Sequence, residues 1–149
     1  MSSYRQIFYH IVFRTKRSHK TLPLDYHKKL FAYIMGIIKQ KTCHLYRING
    51  MQNHIHMLID LHPGIALADL MRELKTSSSV WLKQQIEFDK FEGWSDGYAA
   101  ITVSYQDKNR VIEYIKTQQD HHKTESFSDE FRKLLVKEGI EIDERFFLK

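Results

Sequence analysis

The segment NHIHMLID, residues 53–60, constrains the fold more than any other stretch of the chain. Successive side chains of an extended strand point to opposite faces. Ile55, Met57 and Ile59 therefore form one face, and His54, His56, Leu58 and Asp60 share the other. The two imidazoles stand roughly 6–7 Å apart at Cα for a rise of about 3.3 Å per residue, close enough to hold one metal ion. A fold for this chain must bury the aliphatic face and bring further polar groups to the histidine face.

The neighbouring segments supply the layers. QIFYHIVFRTK is rich in β-branched and aromatic residues and reads as a first strand. LDYHKKLFAYIMGIIKQK places Leu30, Tyr33, Ile34, Ile37 and Ile38 at helical spacing. HLYRING and NHIHMLIDL form a hairpin turning around Gly50 and Met51, and HPGI then breaks the pattern. A second helix, ALADLMRELKTSSSVWLKQQ, follows, with Leu67, Leu70, Met71, Leu74, Val80 and Trp81 on its apolar side. A fourth strand is predicted over about 98–105, a third helix over about 108–122, and a short helix over about 128–138 stopped by Gly139. The order β-α-β-β-α-β predicts an α+β fold of the ferredoxin-like type. Its antiparallel sheet carries two long helices on one face, leaves the other face free for chemistry, and gains an added C-terminal helix.

A chain of 149 residues without repeats, low-complexity tracts or a Pro/Gly-rich linker suits one domain over 1–149, with a core of about 4–122 and a C-terminal extension of about 123–149. The lone Cys43 excludes an internal disulfide and any cysteine-based zinc site. The N-terminal segment lacks a signal-peptide pattern, and the longest apolar run, LFAYIMGII, is too short to span a bilayer. A cytoplasmic protein without membrane partners is expected. Net charge is +5, unevenly spread: residues 125–149 carry seven acids and five bases, so the preceding 124 residues hold the whole excess. A basic body with a mildly acidic tail suits a phosphate-rich partner.

The last long predicted helix, VIEYIKTQQDHH, sets Val111, Ile112 and Ile115 on its packing side. At about 100° per residue, Gln118 lies about 40° from Tyr114 and one turn along, and His121 returns to nearly the same line. Tyr114, Gln118 and His121 form one polar stripe, a candidate partner for the histidine pair. Gln119 lies about 100° round from Gln118 and is less well aligned with Tyr114.

A strand carrying His-hydrophobic-His, followed by a helix carrying Tyr-x-x-x-Gln, resembles the single-tyrosine HUH transposases of the smallest bacterial insertion sequences, the IS200-like family. The resemblance runs from FYHIVFRTK through GMQNHIHMLIDL and LADLMRELKTSSSVWL to GYAAITVSY and YIKTQQDHH. Ala99 stands where relatives often place a second glycine. The resemblance implies that His54, His56 and Gln118 ligate Mg²⁺ or Mn²⁺ and that Tyr114 is the catalytic nucleophile. It implies a transposase that cleaves single-stranded DNA at hairpin-bearing element ends, forms a 5′-phosphotyrosine link, releases a 3′-OH, and transfers the strand. It also implies a homodimer whose active sites combine the histidines of one subunit with the tyrosine of the other. Exchange of that kind would swing the helix about SYQDKN.

Several basic and polar residues are candidates for DNA contact: Arg14, Lys16, Arg17 and Lys20 in RTKRSHK, and Arg72, Lys75, Ser77 and Ser78 in RELKTSSS. An ordinary solvated loop or helix face is the alternative reading for both groups. His121 is a candidate to support a ligand or touch phosphate, although helix-end histidines, His122 included, commonly meet exposed carbonyls. His10 either faces the histidine pair or packs. Two rival functions remain open: a domesticated relative that nicks repeated hairpins, and a non-catalytic ferredoxin-like nucleic-acid-binding module.

Overall fold

The computed structural model describes residues 3–149. Four strands, β1 (Phe8–Arg14), β2 (His44–Gly50), β3 (His54–Asp60) and β4 (Ala99–Val103), form an antiparallel sheet in the order β2-β3-β1-β4. Helices α1 (His27–Gln40) and α2 (Leu67–Lys83) pack on one face. This is the ferredoxin-like α+β arrangement. The side-chain alternation sorts the layers as the sequence requires. Ile55, Met57 and Ile59 of β3 join Ile11 and Phe13 of β1 in the main core, beneath Leu30, Ile34, Ile38, Leu70 and Leu74 of the two helices. Burying side chains of this size stabilises by about 1.5–3 kcal/mol each, so this face fixes the register of the central strands.

The β2–β3 turn is tight for a specific reason. A Cβ on Gly50 would lie 2.2 Å from the His54 carbonyl oxygen. Only glycine lets β2 close this tightly on the strand that carries the histidines. The Met51 amide donates to the same carbonyl at 3.0 Å.

The second face of the sheet is not free. Three helices lie on it: α3 (Lys108–Lys116), α4 (Gln118–His121) and α5 (Phe127–Lys137). Val111 and Ile115 of α3 pack on Phe8 and Leu58, while Phe127 and Leu135 of α5 pack on Val12 and Ala99. The predicted continuous helix over 108–122 is therefore corrected to two pieces that meet at Thr117, whose φ/ψ of −99°/23° is off the helical range. The Thr117 hydroxyl donates to the carbonyls of Glu113 (3.0 Å) and Tyr114 (3.3 Å), a local bond that competes with the regular ladder. Helix α5 starts at Ser126, whose hydroxyl accepts from the Asp129 amide (3.2 Å). It ends at Gly139 (φ +73°), where the Ile140 amide returns to the Leu135 carbonyl (2.9 Å). Among the described residues no helix is long and apolar enough to cross a membrane.

Candidate active site

The site grows from the histidine face of β3. His54 and His56 are fully buried there, beside His10 of β1, which is 4% exposed and faces them. Asn53 Oδ1 accepts only, so the His54 Nδ1 proton is committed to it (2.8 Å). The His54 Nε2 lone pair therefore points inward. His56 Nδ1 and His10 Nε2 lie 2.9 Å apart and share one proton. Burial holds His54 at a pKa of about 4; burial and the neighbouring His56 hold His10 at about 3. At neutral pH both rings are uncharged.

From the other side comes the Tyr114–Gln118 segment. Despite the break at Thr117, both residues reach the histidines of their own chain. The Tyr114 ring lies 5.8 Å from that of His56 and 6.0 Å from that of His10, centroid to centroid. Gln118, wholly buried, sets its Oε1 3.1 Å from His54 Nε2. Gln119 turns away: its amide pairs with the Asn49 side chain of β2 and with the Gly50 carbonyl, pinning α4 to the sheet. His121 stacks near the Tyr114 ring (4.8 Å) and bonds Thr117 Oγ1 (3.0 Å), so it supports the tyrosine rather than the ligand atoms.

At the centre stands Glu130 of α5, 3% exposed. Its Oε2 accepts from the Tyr114 hydroxyl and from Gln118 Nε2 (2.8 Å). Its Oε1 lies 2.8 Å from His122 Nε2, 3.3 Å from His56 Nε2 and 3.4 Å from His54 Nε2. Burial works against a charged carboxylate, but hydrogen bonding led by His122 outweighs it and holds Glu130 well below the ordinary carboxylate range. His122 Nδ1 donates to the Glu125 carbonyl (2.8 Å), so its Nε2 bond to Glu130 requires the imidazolium. Burial disfavours that charge, yet Glu130 raises the His122 pKa. Burial, then the Glu130 charge, push the Tyr114 phenol up.

Sequence reasoning did not single out Glu130, and it favoured a helix-end role for His122. A signal was present: Glu130 interrupts the apolar stripe Phe127, Phe131, Leu134 and Leu135. An acid on the packing face of a helix marks a buried polar task.

The basic candidates divide by face. Arg17 and Lys20 are exposed and line a groove with Asn53, His122 and Ser126. Lys16 is exposed on the same loop, and Arg14 bonds Ser18 Oγ and the Lys149 carbonyl. Arg72, Lys75 and Ser77 sit on α2, across the sheet from the site. Lys75 bonds the carbonyls of Ser95 (2.7 Å) and Gly97 (2.8 Å), Arg72 pairs with Asp69, and the Ser77 carbonyl accepts from Tyr33. Ser78 is buried, donating to the Leu74 carbonyl and accepting from Trp94.

The comparison that decides the family is a match of residues 3–118 to the model for "Transposase IS200 like". The chain belongs to this transposase family. The matched span holds His54, His56, Tyr114 and Gln118 and stops short of α5. Over 120 residues the transposase is 28% identical to the transposase for insertion sequence element IS200 of Salmonella typhimurium, covering 77% of this chain and 78% of that protein. It is 25% identical to the ISDra2 transposase TnpA of Deinococcus radiodurans, covering 77% and 86%. In fold it is similar to a REP-associated tyrosine transposase solved with a REP hairpin, at a TM-score of 0.61 and 17% identity, covering 95% of this chain and 89% of that one. A family of transposases implies an enzyme that acts on DNA.

Proposed function

We propose that this transposase is a metal-dependent single-strand DNA endonuclease and strand transferase with Tyr114 as nucleophile and hairpin-bearing DNA as substrate. The observation that carries the reading is the facing of His54 Nε2 and Gln118 Oε1 at 3.1 Å. Both are acceptors once His54 is neutral, and two lone pairs held together in a buried site call for a cation between them. The donors His54, His56 and Gln118, two imidazoles and an amide oxygen without thiolate, suit Mg²⁺ or Mn²⁺. A divalent cation held there supplies positive charge that polarises a scissile phosphate and eases ionisation of the neighbouring phenol.

The chain's own groups do the rest. Tyr114 Oη attacks phosphorus, the 3′ oxygen leaves as a 3′-OH, and the DNA 5′ end remains on the tyrosine. One phosphodiester is exchanged for another, so a later 3′-OH attack reseals DNA without ATP. The phenol hydrogen is already directed at Glu130 Oε2, which gives it an acceptor. The cleft bordered by His10, Arg110, Tyr114, Lys133 and Lys137 and the groove past Arg17, Lys20 and Asn53 offer two approaches for the strand. The hairpin substrate is supported by the fold similarity to the REP-bound enzyme. Tyr114 meets the histidines of its own chain, which favours a complete site in each subunit over one shared by exchange, and work on DNA suits a cytoplasmic protein.

Labelled hairpin-bearing single-stranded DNA incubated with Mn²⁺ tests the reading on a denaturing gel. Wild type should form a covalent adduct, and Tyr114→Phe and His56→Ala should lose it while remaining folded. A normal adduct from Tyr114→Phe, or cleavage by wild type without any adduct, overturns the proposal.

A further inference from the structure

The family match ends at Gln118, yet the most heavily bonded side chain of the site comes from beyond it. We propose that Glu130 is a fourth protein ligand of the divalent cation, its Oε1 completing a set with His54, His56 and Gln118. This rests on the reading above that those three residues hold a metal.

Three observations converge on it. The first is distance. His54 Nε2 lies 3.1 Å from Gln118 Oε1 and 3.4 Å from Glu130 Oε1, and His56 Nε2 lies 3.3 Å from Glu130 Oε1. Neighbouring donors around a six-coordinate cation with bonds of about 2.1–2.2 Å stand about 3.0 Å apart, and around a four-coordinate one with bonds of about 2.0 Å about 3.3 Å apart. These three donor pairs have the spacing of such edges. The second is orientation. Gln118 Nε2 donates to Glu130 Oε2, which turns the Gln118 oxygen toward His54 and leaves Glu130 Oε1 facing the imidazoles. One carboxylate thus aims one oxygen at the ligand atoms and the other at the Tyr114 hydroxyl. The third is burial. Glu130 is as enclosed as the histidines it faces, and His122, whose Nε2 lies 2.8 Å away, flanks it from the other side.

Such a donor set differs from two imidazoles and an amide in carrying a negative charge. A cation held by these four groups would supply positive charge beside the Tyr114 hydroxyl, where a phosphate would be polarised. Tethering the phenol through the same carboxylate sets the nucleophile beside the ion.

The test is Mn²⁺ binding to DNA-free protein, followed by electron paramagnetic resonance, for wild type, His56→Ala and Glu130→Gln. The four-donor site predicts that Glu130→Gln, folded by circular dichroism, binds Mn²⁺ at least on the order of tenfold more weakly. Unchanged or tighter binding overturns the assignment, because the carboxylate would then merely occupy the space the ion needs. Should Glu130→Gln not fold, wild-type protein labelled with ¹³C at glutamate carboxyls decides: a strong ¹³C coupling to bound Mn²⁺ supports ligation, and its absence refutes it. His56→Ala separates the two ideas. If it binds Mn²⁺ like wild type, the histidine site itself is wrong; if it alone loses the ion, only Glu130 is misassigned.

Discussion

Gln119→Ala removes the side chain that holds α4, and with it Gln118, against β2. Gln119 Nε2 donates to Asn49 Oδ1 (2.8 Å) and to the Gly50 carbonyl (3.0 Å), and its Oε1 accepts from Asn49 Nδ2 (3.1 Å). Three bonds at about 1 kcal/mol each give a loss of about 2–3 kcal/mol. Asn49, only 9% exposed, keeps its bonds to the Lys116 carbonyl and the Gly50 amide, which limits any further penalty. For a chain of this size that corresponds to a fall in Tm of roughly 5–10 °C. Urea unfolding with linear extrapolation measures it directly. The same variant should bind Mn²⁺ more weakly, although Gln119 touches none of the ligand atoms, because the neighbouring Gln118 loses its anchor. A stability change within about 0.5 kcal/mol, the range of an ordinary surface substitution, would refute the clamp.

Gly50→Ala forces its new methyl against the His54 carbonyl, and a destabilisation of about 1–3 kcal/mol by urea titration is expected; a neutral result would mean that the turn relaxes freely. Leu58→Ala empties a fully buried position beneath Val111 and Ile115 and should cost about 2–5 kcal/mol, with displaced Tyr114 resonances in NMR spectra. An undisturbed Tyr114 would show that α3 does not depend on that contact. His27 donates from Nε2 to the Leu22 carbonyl (3.0 Å), while its Nδ1 is buried without a partner among the described residues. Burial holds its pKa below 6.5, only partly opposed by the Leu22 bond, so its contribution to stability is present above about pH 6.5 and lost as pH falls. His27→Phe should lessen the acid-side slope by up to about 1.4 kcal/mol per pH unit, and equal slopes in both proteins would contradict this.

Much of the fold was legible because period-two and period-3.6 patterns alternate cleanly, and β3 announces its two faces in seven residues. The pairing of Tyr114 with Gln118 was legible from one turn of helical spacing, and the structure brings both to the histidines. The break at Thr117 was not, since a threonine hydroxyl bonding back to Glu113 and Tyr114 leaves no mark on hydrophobic periodicity. Nor was the cover on the second sheet face, which is built from α5, a short helix whose partners are distant in sequence. Glu130 was hidden for a related reason: a lone acid in a charged tail reads as solvated unless the apolar stripe around it is traced first. The α2 basic residues lie across the sheet from the histidines, where Arg72 pairs with Asp69 and Lys75 with the carbonyls of Ser95 and Gly97.

Because α3 is docked by Val111 and Ile115 on its own Leu58, the tyrosine finds its histidines without meeting a second molecule. Assembly of such a centre is a first-order event. On the proposed reading, adduct yield per molecule should hold constant as the protein is diluted.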